Sequence, residues 1–126
     1  MNIQARFIAA IIILASAVQL FAGGSGLNVA VVINTNSADS IQLGNYYCER
    51  RQIPPQNVLR INWAGTNVEW SLTDYQNILF NPLVAVLAGR ALTNQIEYVV
   101  LSRDIPYRGN GGGEGVNSTT SALFYG

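Results

Sequence analysis

The residues best placed to bind a ligand lie in two short polar stretches: Asn34, Asn36, Ser37 and Asp39 in one, and Ser102, Arg103 and Asp104 in the other. Amides and a hydroxyl can both donate and accept hydrogen bonds, and Asp104 adds a carboxylate that can accept them or ligate a metal. The same residue types favour caps and turns, so a competing reading has Ser37 or Asp39 capping a helix and Asp104 pairing with Arg103 or Arg108. His and Lys are absent from the sequence. Without imidazole, residues 1–126 cannot by themselves build a Ser-His-Asp triad, a Cys-His dyad or a His-containing metal site. Without Lys they supply neither Schiff-base chemistry nor the phosphate-gripping Lys of a P-loop. No catalytic residue and no metal-ligand set is therefore assigned, and no cofactor is implied.

Four further features carry a possible chemistry and a plainer alternative. Cys48 is the one cysteine, so it has no internal disulfide partner. It recurs with Leu43, Gly44 and Tyr47 at helical spacing, which places it on an apolar helix face as a buried thiol rather than an activated nucleophile. Trp63 and Trp70 flank a polar loop and offer flat faces to a sugar, although partial burial in the core is the commoner fate of tryptophan. The glycine cluster at 109–115 lacks the Gly-Lys-Ser/Thr ending of a phosphate loop and reads as a flexible loop by composition. Asn117-Ser118-Thr119 matches a glycosylation sequon, a short pattern to which no function is attached.

The elements that must position these residues follow from periodicity. Leu27–Ile33 is a nearly continuous apolar run rich in β-branched residues, the pattern of a strand covered on both faces. A helix follows the first polar stretch and runs to about Arg51, where Ile53-Pro54-Pro55 stops it. Val58–Ile61 makes a second strand. Ser71-Leu72-Thr73-Asp74 resembles a capping box that starts a second helix, and Asn81-Pro82, with Asn as cap, splits the stretch to Arg90 into a kinked helix or two short ones. Ile96–Leu101 is the third strand, and Ser121–Tyr125 begins a further apolar segment. This β-α-β-α-β order implies an α/β fold, a parallel sheet with helices on its faces that forms the N-terminal part of a larger caspase-like or doubly wound domain. Ligands in such sheets bind beyond the carboxyl ends of the strands. Adjacent first and third strands would put Asn34, Asn36, Ser37, Ser102 and Asp104 on one edge, beside the positive end of the first helix, where a carboxylate or other anion could settle. The first strand-to-helix turn, Asn34–Ser37, has no glycine, which disfavours dinucleotide binding.

Arg6 followed by the apolar run Phe7–Val18 and by the small residues of Ala22–Gly26 is the pattern of a signal peptide over residues 1–24, with residues 25–126 as one α/β domain. The run is shorter than the roughly 20 apolar residues a spanning helix needs, so membrane contact is expected through the signal peptide alone, before cleavage. Hydrophobic residues make up 49% and charged residues 11%, which argues for a packed core and against disorder. Seven Arg balance seven Asp and Glu, leaving no basic stripe for nucleic acid. The expected partner is an unknown ligand or envelope component.

The stretches Asn28–Ser37, Gly44–Tyr47, Asn57–Asn62, Tyr98–Pro106 and Asn117–Tyr125 resemble an uncharacterised exported bacterial family associated with exosortase-carrying genomes, and the resemblance covers nearly all of the mature chain. It implies an exported protein of the cell envelope or surface with no established activity. Members are longer, which implies that this chain is truncated at its C-terminus. A weaker resemblance, through the apolar strand that runs into Asp104-Ile105-Pro106, is to gingipain-type and caspase-like cysteine peptidases. Their catalytic His and Cys come from later strands, so that resemblance implies the N-terminal portion of a secreted hydrolase with its catalytic residues beyond residue 126.

Overall fold

A computed structural model describes residues 24–110 and 116–125. Strand β1 (Val29–Asn34) is central, with β2 (Val58–Ile61) paired parallel on one side and β4 (Tyr98–Leu101) paired parallel on the other. The register sets Val31 opposite Val58 and Val100. Every residue of β1 is buried, as its unbroken apolar run requires of a strand covered on both faces.

Helix α1 (Ala38–Arg51) covers one face. Its Ile41, Tyr47 and Cys48 pack on Val29, Val31 and Ile33. Gly44 allows that approach, because a Cβ there would lie 2.6 Å from Ile33 Cγ1 and 2.7 Å from Cδ1. Leu43, placed by spacing on the same face, is 51% exposed. Positions 40, 44, 47 and 48 define the stripe, and Leu43 lies outside it. Gln52 ends the helix in the left-handed conformation, ahead of Pro54 and Pro55.

The other face is covered by a continuous helical segment: α2 (Leu72–Asp74), a π-helical stretch Tyr75–Phe80 and α3 (Asn81–Gly89). Its Leu79 and Leu83 pack with Val32, Leu59 and Ile61. Asn81 does not act as a cap. It has helical dihedrals and its N–H bonds back to the Gln76 carbonyl, five residues earlier. Pro82 lacks a donor and would clash with the carbonyl one α-turn back; a wider turn just before it lets the helix continue. At the helix start Ser71 Oγ accepts from Asp74 N at 3.1 Å, as a cap should. The Asp74 carboxylate accepts a hydrogen bond from the Ser71 hydroxyl at 2.7 Å instead of one from a backbone amide.

A second sheet departs from the expected β-α-β-α-β order. In it β3 (Glu69–Ser71) pairs parallel with β5 (Arg108–Asn110), which pairs antiparallel with β6 (Val116–Ser118), and α4 (Thr119–Tyr125) follows. Gly109 and Asn110 are thus strand residues, not loop, while residues 111–115 lie outside those described. Trp70 is 2% exposed and donates from Nε1 to Thr119 Oγ1, which removes it as a sugar platform. The architecture is mixed α/β, with a three-stranded parallel sheet and helices on its faces.

Candidate functional site

The chain leaves β1 toward β2 on one side and later returns to β4 on the other. The point where the strand order reverses therefore lies between the carboxyl ends of β1 and β4, the place where open parallel sheets hold ligands. The loops after these two strands meet there.

Asn34 organises the meeting point. It is 2% exposed, and its Nδ2 donates to the Trp63 carbonyl at 3.0 Å and the Asp104 carbonyl at 2.9 Å. Its Oδ1 accepts from Trp63 N at 3.0 Å and Asn36 N at 3.1 Å. Two donors and two lone pairs are all an amide offers, so Asn34 has no capacity left for a ligand and acts by holding three loops. Ser40, fully buried in the first turn of α1, accepts from Asn34 N at 3.0 Å. Ser102 Oγ donates to the Ser40 carbonyl at 2.8 Å, tying the end of β4 to α1.

Ser37 is the N-cap of α1: its Oγ accepts from Ser40 N at 3.0 Å and donates to Asp104 Oδ2 at 2.6 Å. Asp104 has φ 57°, a left-handed conformation that Asp tolerates better than most residues. Its Oδ1 receives Asn67 Nδ2 at 3.3 Å, and Arg103 Nε lies 4.0 Å away. The bond from Ser37 and then the bond from Asn67 hold the Asp104 carboxyl below the usual carboxylate range; desolvation opposes them, and the Arg103 charge adds the smallest pull downward. The carboxylate stays ionised, partly exposed, with lone pairs to spare.

Around this centre, Asn36 is exposed and its side chain is not drawn into the network. Arg103 reaches Asp39 at 2.9 Å in an exposed ion pair; Arg108 instead pairs with Glu69. Through Ser37, the start of α1 engages the protein's own Asp104 carboxylate, with Asp39 close behind. A free anion would meet two carboxylates where the sequence suggested a vacant positive end. Ligands that donate hydrogen bonds suit the edge better.

The five residues singled out from sequence thus all fall on one edge, but in two roles: Asn34, Ser37 and Ser102 are committed to holding the loops and the helix start, while the Asp104 carboxylate and the exposed Asn36 keep capacity to spare. Sequence reasoning missed Asn67 and Ser40. Asn67 lies in the loop after β2, and no local pattern ties it to a residue 37 positions away. Ser40 read as the end of the polar stretch before the helix, whereas it lies in the helix's first turn.

Cys48 is partly buried, and burial pushes its thiol up against a smaller opposite pull from Arg60, so it is not an activated nucleophile. Among the described residues, no group of three or more His, Cys, Asp or Glu could hold a metal ion. Comparison with protein families, curated proteins and solved structures gave no match for the chain.

Proposed function

We propose that the chain is an exported domain of the bacterial cell envelope or surface that binds a donor-rich ligand, one bearing hydroxyl or ammonium groups, at the edge between β1 and β4. The observation that carries this reading is the Asp104 carboxylate, fixed by Ser37 and Asn67 at the reversal of strand order with acceptor capacity unused. Asn36, exposed and one residue before Ser37, adds an amide on the same loop. Asn34 and Ser102 make the edge rigid, so little ordering entropy would be lost on binding. Export is supported by the leader-like residues 1–24, and the link to an exosortase sorting system rests on resemblance.

The fold reading extends in the same direction. β4 carries Val99, Val100 and Leu101 packed against the core on both faces yet less fully buried than β1, as suits a strand that gains a neighbour in a larger doubly wound or caspase-like sheet. A caspase-like hydrolase remains a fold-level analogy, since every catalytic residue would come from elsewhere.

An amino sugar combines hydroxyl and ammonium donors, so glucosamine is a suitable first probe. Amide shifts followed during its titration should move saturably at Asn36, Ser37, Asn67 and Asp104. Shifts scattered over the surface, or none, would overturn the reading.

A further inference from the structure

At the opposite end of the parallel sheet, exposed apolar and basic side chains gather where the chain enters β1. Leu27 is 53% and Tyr98 55% exposed. A side chain built on Gly24 would meet the Tyr98 ring at 3.4 Å. Arg51 donates to the Gly24 carbonyl at 3.0 Å. Arg50 lies over the Tyr46 ring, 5.3 Å from its centroid. Arg90 bonds the Gln56 carbonyl, next to Asn57, whose amide holds the Leu27 carbonyl at 2.9 Å. Glu49 and Glu97 share this end, so three guanidinium groups meet two carboxylates and the electrostatic pull toward anionic lipid is modest.

Position adds what charge does not. The apolar leader, Phe7 to Ala22, ends two residues before Gly24, and two residues span at most about 7 Å. Any bilayer that holds the leader therefore holds this end of the domain close to its headgroups. Tyr and Leu seat well in the interfacial layer, and Arg can lay its stem along apolar surface while its head reaches phosphate.

We propose that, while the leader is attached, the domain rests on the bilayer surface through Leu27, Tyr98, Arg50 and Arg51. The Asp104 edge is then turned away from the membrane. The proposal rests on the export reading for the leader's place in a bilayer. That reading is tested separately, by the N-terminus of the exported product.

The full chain, leader included, is bound to vesicles of phosphatidylcholine with a minority of phosphatidylglycerol and recovered by flotation. Nitroxide labels are placed at Tyr98→Cys, at Leu27→Cys and, as the reference, at Asn36→Cys, each with Cys48→Ser. Oxygen, which concentrates in lipid, should relax the first two labels several-fold more than a water-soluble nickel chelate does, and the third should show the reverse. Three labels with the same aqueous signature, or a chain that does not float, would overturn the proposal. Adding Arg50→Gln and Arg51→Gln should move the Tyr98 label toward the aqueous signature, and an unchanged signature would remove the arginines from the contact.

Discussion

Asn34 and Asn36 stand two positions apart and have opposite parts. Asn34→Ala would strip four hydrogen bonds from a buried site and strand the groups they satisfied, a loss of about 3 kcal/mol. Asn36→Ala removes an exposed side chain and should stay within about 0.5 kcal/mol of the parent. Urea unfolding of the two variants checks both values. Asp104 adds a pH dependence. Because its folded carboxyl lies below the ordinary range, its contribution to stability is complete above that range and fades as pH falls through the lower folded value. Asp104→Asn should therefore flatten the acid limb of the stability profile while leaving its shape near neutrality unchanged. A profile that still falls as steeply as the parent's in acid would place the sensitivity elsewhere.

Among the elements, β1, α1 and β2 were legible because their signals are local: an apolar run rich in β-branched residues, a serine cap and a Pro-Pro stop. The second sheet was not. Its strands β3 and β5 are three residues each and pair across 39 positions, Glu69 with Arg108, and the glycines after β5 mimic a loop. Asn81-Pro82 misled for a related reason, since a π-turn can pass a proline that an α-ladder cannot. Gly44 offers a test of how close α1 lies to the sheet. Alanine gains about 1 kcal/mol in helix propensity, yet its Cβ would press on Ile33, which is fully buried and cannot retreat. Gly44→Ala should destabilise by about 1–3 kcal/mol. A more stable variant would show that α1 stands further off than described.

For the molecule as a whole, the placement of the candidate site was partly readable. The rule that ligands gather at the carboxyl ends of parallel strands pointed to the edge where the two loops meet, but whether β1 and β4 adjoin depends on strand order, which no local pattern encodes. The division of labour within the site was hidden for the same reason: Asn34 is committed to Trp63 and Asp104, 29 and 70 positions away. If residues 1–24 are a cleaved leader, exported material begins close to Ser25. N-terminal sequencing checks it, and a membrane-bound product still starting at Met1 would contradict it. The most direct measurement on the central claim is calorimetric titration of glucosamine into the parent and into Asn36→Ala, with the urea midpoint of each taken alongside. The account predicts saturable binding to the parent and an affinity lower by about 5-fold in the variant, one lost hydrogen bond of about 1 kcal/mol, at an unchanged midpoint. Equal affinities at equal stability, or no binding to the parent, would contradict it and leave the β1–β4 edge as a set of caps and turns.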